Sequence, residues 1–271
     1  MARNDAAHVV PRFVVFQTGY SSKLQFMSIW GKLAGAAAGF AFGGGPLGAL
    51  FGGVAGHYTI DKLLERDGEE ARATRDQLVF TVGLIALCAK MAKADGVVTR
   101  DEVVAFEQVF KVPANEAQNV RRFFDQARQA VAGYESYAEQ LAHLFKDKPG
   151  VLEDVLDALF HIALADRVIH PNEIEYLESV SAIFGFSALE FQRIRASHLG
   201  PNASDPYVIL GVEHDISDQD LKSAYRRLVR ENHPDALIGR GVPEEFVALA
   251  NEKLSAINTA YDRIAKDRGL T

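Results

Sequence analysis

The chain has 271 residues, with 36 acidic against 29 basic side chains and a net charge of −7. That acidic balance, with a pI near 5.6, argues against nucleic acid as the main partner. Cys88 is the one cysteine, which excludes an intramolecular disulfide and a cysteine-built zinc set, and the length allows two small soluble domains plus an anchor.

Residues 1–26 carry no clear pattern, whereas MSIWGKLAG from Met27 reads as a natural start. We therefore expect 1–26 to be an extension that the native protein can lack. From Leu33 to Gly56 there is no charged residue. As a helix this run spans about 36 Å, enough for a bilayer core. Gly31, Gly35, Gly39 and Gly43 are four apart, and so are Gly44, Gly48, Gly52 and Gly56. Small residues at that spacing let helix backbones approach closely in lipid. Gly35, Gly39, Gly48 and Gly52 are the expected packing positions of a homodimer. Trp30 and Tyr58 flank the run as expected interfacial anchors. A flexible glycine linker is the plainer alternative, and the Leu, Phe and Val residues between the glycines argue against it. Gly43-Gly44-Gly45-Pro46 is a point where a single span at 27–58 can break into a re-entrant hairpin. With a start at Met27, Lys32 alone opposes Lys62, Arg66, Arg72 and Arg75, which puts the C-terminal bulk in the cytoplasm. Counted from Met1, the two sides tie.

From about residue 74 to residue 199 the pattern is helical. Leu78 to Ala89 is uncharged but too short to span a bilayer, so it reads as a buried helix with Cys88 as a small core residue. AKMAKADGVVTRDEV at Ala89–Val103 echoes FHIALADRVIHPNEI at Phe160–Ile174. Each is an apolar helix end, an acid (Asp95, Asp166), a turn, a cap (Thr99; His170 or Asn172) and a Glu (Glu102, Glu173). Two such units predict a compact helical bundle. The region resembles the TerB-like fold, named for tellurite-resistance proteins. Metal binding by these acids is the sharper reading. Carboxylates capping helix ends is the favoured one, since the EF-hand ligand pattern is absent. His143, His161 and His170 are scattered, and no ligand role is assigned to them.

LGPNASD at 199–205 is a short polar linker. Beyond it, Ser217 followed by Asp218, Gln219 and Asp220 marks a capped helix start. Leu221, Ala224, Tyr225 and Leu228 share one face, while Lys222, Arg226 and Arg230, with Arg227 beside them, make a basic strip. A solvated helix face is the plain reading of such a strip taken alone. Pro234 ends this helix and drives His233 toward extended geometry, so His233-Pro234-Asp235 is a stiff corner. A loop is expected through Gly239 and Gly241 to Pro243. A long helix should follow, with the apolar stripe Phe246, Leu249, Ala250, Leu254, Ile257, Tyr261 and Ile264 packed on the first helix.

DPYVILGV at Asp205–Val212, LKSAYRRLVRENHPD at Leu221–Asp235 and KLSAINTAYDRI at Lys253–Ile264 together resemble a J domain, the DnaJ-type module. The resemblance implies binding to a DnaK-type chaperone and stimulation of its ATP hydrolysis. It assigns partner contact to His233, Pro234, Asp235, Lys222, Arg226, Arg227 and Arg230, with Tyr225 in a mixed core and contact position. Ala236 stands where a lysine is common in that family, and one exposed charge contributes only about 0–1 kcal/mol.

The order of glycine-rich membrane segment (27–58), TerB-like bundle (74–199) and J domain (205–271) resembles the DjlA-type, membrane-anchored DnaJ-like co-chaperones. That resemblance implies an all-α protein of the bacterial inner membrane that recruits DnaK and uses no cofactor. No nucleophile elbow, phosphate loop or metal-ligand cluster points to an enzyme. The competing reading is a metal- or stress-sensing TerB-like module carrying a diverged J domain.

Overall fold

A computed structural model describes residues 29–30, 45–48, 69–94, 106–107, 110–130, 133–164, 169–199 and 204–270. The described residues contain helices and no strand. The bundle comprises α1 (Glu69–Ala94), α2 (Ala117–Gln129), α3 (Tyr134–Leu144), α4 (Pro149–Ala163), α5 (Pro171–Ile183) and α6 (Ala188–Leu199). Helix α1 is central and packs against α2, α3, α4 and α5. Its uncharged stretch Leu78–Ala89 is buried, because partners cover it on every side. At Gly83 a Cβ would lie 2.6 Å from the Leu141 side chain, so glycine sets the approach of α3. Two hydroxyls in this core find backbone carbonyls, whereas Ser181 Oγ and the Trp30 indole nitrogen have no partner among the described residues. Thr81 donates its hydroxyl proton to the Gln77 carbonyl at 2.8 Å, and Tyr176 donates to the Leu87 carbonyl at 2.8 Å. Burial pushes the Cys88 thiol well up, consistent with an inert core residue.

Helix α5 starts as its sequence suggests. His170 is the extended N-cap, Pro171 opens the helix, and the His170 amide donates to Glu173 Oε2 at 2.8 Å. Glu173 therefore closes a helix end, and His170 rather than Asn172 is the cap. Asp95, Thr99, Glu102 and Asp166 lie outside the described residues.

The C-terminal part comprises α7 (Pro206–Leu210), α8 (Asp218–Glu231), α9 (Pro234–Arg240), a 3-10 turn (Glu244–Phe246) and α10 (Val247–Asp267). Ile209, Leu210, Leu221, Leu228, Ile257, Ala260 and Ile264 form its core together with Ala196 of α6. Arg268 staples the end of α10 to the segment before α8. It donates to Tyr207 Oη at 2.9 Å and to the carbonyls of Ile216 and His214 at 2.7 Å each.

Three expectations are corrected. The stretch after the corner is a helix, not a loop. Pro234 occupies the first helical position, and Gly241 ends α9 in the left-handed region at φ +102°. The long stripe of α10 is also split between two cores. Ile257 and Ile264 face α8, whereas Phe246 and Ala250 join the bundle core with Leu237 and Val242. The Phe246 ring meets Phe80 at 5.1 Å and Phe110 at 4.6 Å. Finally, Trp30 is not at an exposed interface. It is 1% exposed, with its ring 6.0 Å from Phe106 and 5.9 Å from Phe246. The indole fills an aromatic cluster that favours its large apolar surface.

Candidate functional site

The corner is built by the ends of two helices. Ser217 caps α8, accepting from the Asp220 amide at 3.1 Å, with Asp218 and Asp220 in the first turn. The other end of α8 stops at Asn232, which is buried and donates its side-chain amide to the Leu228 carbonyl at 2.8 Å. His233 is extended at φ −68° and ψ 138°, and its Nδ1 accepts from the Asp235 amide at 3.2 Å. The proline and this cap fix the direction in which both side chains leave the chain. His233 is 54% exposed and Asp235 89% exposed by side chain, and their imidazole and carboxylate stand 3.6 Å apart. Among the described residues nothing encloses these two side chains, so the corner is shaped to meet another surface rather than to enclose a substrate.

The basic strip flanks it. Arg226, Arg227 and Arg230 are exposed and Lys222 is half-buried. Arg227 pairs with Glu231 one turn on, at 3.1 Å. Tyr225 is half-buried, stacked on Tyr261 at 4.1 Å, and donates its hydroxyl proton to Asn258 Oδ1 at 3.0 Å. Tyr225 thus ties α8 to α10.

Beneath the corner lies a charged junction that the sequence reading did not anticipate. Glu153, Asp154 and Asp157 line one face of α4. Lys253 of α10 is 5% exposed and donates to Glu153 Oε1 at 2.5 Å and to Asp157 Oδ2 at 2.6 Å. Arg193 of α6 donates to Glu153 Oε2 at 2.7 Å, and His198 Nε2 meets Asp157 Oδ1 at 2.8 Å. Arg240, the last residue of α9, donates to both Asp154 oxygens at 2.9 and 2.8 Å. Burial alone would raise the Glu153 carboxyl, but Lys253 and Arg193 hold it well below the usual carboxylate range. Burial likewise opposes ionisation of Asp157, and Lys253 and His198 outweigh it and hold that carboxyl low. At Asp154 burial wins over Arg240 and Lys253 and pushes the carboxyl up to about 7. A signal for this junction existed. Lys253 falls on the core-facing register of α10, and three acids occupy adjoining positions on an otherwise apolar α4.

Comparison with known proteins divides the chain in the same order. Residues 205–268 match the family model described as the DnaJ domain. Residues 81–196 match the model for tellurite resistance protein TerB, and residues 27–75 that for the co-chaperone DjlA transmembrane domain. The chain thus carries the three regions of the DjlA-type J-domain proteins in the same order. Among curated relatives, the co-chaperone protein DjlA of Photobacterium profundum is 29% identical over 89% of this chain and 99% of its own length. That of Coxiella burnetii is 27% identical over 89% and 98%, and that of Haemophilus influenzae 26% over 90% and 99%. No solved structure gives a significant match. The J domain and the DjlA-type relatives support a co-chaperone role. Among the described residues no helix is long and apolar enough to cross a membrane. Leu47 and Gly48 are buried, the Leu47 amide donating to Gln140 Oε1 at 2.9 Å. Gly35, Gly39 and Gly52 lie outside the described residues.

Proposed function

We propose that this chain is a membrane-anchored co-chaperone that docks a DnaK-type ATPase through His233-Pro234-Asp235 and the basic face of α8, and accelerates its ATP hydrolysis. The observation that carries the reading is the exposed, cap-stiffened corner lying beside a strip of exposed arginines. Complementary charge steers the encounter, and the preorganised corner sets its register. Bond breaking takes place in the partner. The test is ATP turnover by a purified DnaK-type chaperone with and without the full chain in lipid nanodiscs. Acceleration that weakens as salt rises is the expected result, because the strip is exposed and screened. Turnover unchanged by the chain at low salt would overturn the reading.

The anchor is the second part of the proposal. The uncharged glycine-spaced run and its family match support a single inner-membrane pass within 27–58. Gly35, Gly39, Gly48 and Gly52 would lie at a homodimer contact, with the bundle (74–199) and J domain (205–271) cytoplasmic. The test is alkaline carbonate extraction of bacterial membranes holding the full chain, where retention in the membrane pellet is expected for an inserted segment. Release into the supernatant would contradict the pass.

A further inference from the structure

The Arg240 side chain touches three parts of the fold at once. Its own helix, α9, begins at the docking corner and ends at Arg240. Nη1 donates to the carbonyl of Glu231, the last residue of the basic helix, at 2.6 Å. Nη2 donates to both oxygens of Asp154 on the bundle helix α4. One planar guanidinium thus joins the end of the basic helix, the end of the corner-bearing helix and the bundle, a geometry suited to arginine rather than lysine.

Neighbouring residues make that bridge tight. At Gly150, one turn before Asp154, a Cβ would lie 3.1 Å from Arg240 Cδ, so glycine clears the path of the side chain. Gly241 follows at φ +102°, and a Cβ there would sit 3.0 Å from Asp76 Cβ of α1. Leu237, on the inner face of α9, is buried in the bundle core. The space left where α4, α9 and α10 meet is about 10 Å³, water-sized at most. Helix α9 is therefore seated on the bundle at Leu237, Arg240 and Gly241, while His233 and Asp235 at its other end face outward.

We propose that Asp154 is a positioning residue for the docking corner: by holding Arg240 it sets the angle between the basic helix and the corner helix, which makes the bundle part of the docking geometry. This rests on the reading that the corner docks a DnaK-type ATPase. The bundle is then more than a spacer, because it presents the J-domain surface in one fixed pose. Asp154 is faced by Arg240 from α9, by Lys253 from α10 and by Asp157 on its own helix. Lys253 and Asp157 stay charged near neutral pH, so Asp154 is the member of this group that changes charge there.

The experiment uses the full chain in nanodiscs with the variants Asp154→Asn, Arg240→Met, Arg240→Lys and Asp235→Asn. It reads the concentration giving half-maximal ATPase acceleration, amide hydrogen exchange over residues 234–240, and thermal stability. At pH 8, where the Asp154 carboxylate is ionised, Asp154→Asn and Arg240→Met should raise the half-maximal concentration about tenfold, an ordinary size for coupling between sites. Maximal acceleration should change little, and exchange in α9 should quicken. Arg240→Lys should recover part of the loss, since an ammonium can reach Asp154 but cannot also brace Glu231. The ratio of Asp154→Asn to wild type should approach one at pH 6, where wild-type Asp154 carries a proton. A role confined to stability would lower the melting temperature without that pH-dependent ratio. If Asp154→Asn and Arg240→Lys both match wild type in half-maximal concentration and in α9 exchange at pH 8, while Asp235→Asn abolishes stimulation, the positioning role is wrong and the docking reading stands. Full stimulation by Asp235→Asn would remove the docking reading and this inference with it.

Discussion

Asp235→Asn and His233→Gln are each expected to abolish acceleration of the partner ATPase in a chain that folds normally. The expectation follows from what the two side chains do not hold up. Among the described residues, the Asp235 carboxylate reaches only the imidazole beside it, 3.6 Å away. His233 accepts one amide proton, from Asp235, and a glutamine carbonyl can replace that acceptor. Even complete loss of a cap typically costs about 1 kcal/mol of helix-end stability, which a domain with an intact core tolerates. Function depends on these groups differently. A small, rigid, exposed feature at the centre of a docking surface carries a disproportionate share of the binding free energy. The asymmetry is measurable by comparing melting temperature and ATPase acceleration for each variant. Near-wild-type melting with no acceleration is the expected pair of results. A variant that melts early and still stimulates would show the corner to be structural instead.

Lys253→Met should produce the opposite pattern, a large loss of stability. The ammonium is the shared partner of Glu153 and Asp157 in a buried setting. Methionine fills the same volume but leaves Asp157 with only His198 and Glu153 with only Arg193. Breaking a buried pair from one side typically costs about 3–5 kcal/mol, because a desolvated charge remains. Denaturant unfolding across pH distinguishes this from simple misfit. Glu153 and Asp157 titrate lower in the folded chain than in the unfolded one, so their stabilisation is present above the ordinary carboxylate range, roughly pH 4, and is lost as pH falls below it. The gap between wild type and Lys253→Met should therefore narrow in acid, as both carboxylates take up protons. A gap constant down to pH 3 would mean that the lysine acts through packing alone.

These two sites differ in how openly the sequence declares them. The corner is legible because proline leaves so few conformations to the residue before it, and because Ser217, the basic strip and the downstream stripe all agree on helices around it. Even there, the helical nature of 234–240 is hidden from a local reading. Gly239 and Gly241 look like loop residues, yet Pro234 at a helix start and Gly241 at its left-handed end are helix signals. Gly239 sits inside that helix at a cost of about 1 kcal/mol relative to alanine. The junction is harder to read. An apolar stripe can be seen residue by residue, whereas a buried lysine looks like a surface lysine until its carboxylates are found about a hundred positions earlier. Phe246 shows the same difficulty, since its helical spacing identifies an inward face but not which of two cores receives it. The place of Trp30 beside an uncharged run suggests an interfacial anchor. Its ring is instead held by Phe106 and Phe246, contacts that no local pattern encodes.

Docking at the corner requires the partner to touch this chain at α8 and the start of α9. A photo-reactive residue placed at Arg226, at Ala236 or at Leu189, an exposed position on α6, can be activated with ATP-bound DnaK-type chaperone present. Capture from positions 226 and 236, and none from 189, is the predicted outcome. Capture from 189 with silence at both corner positions would contradict it.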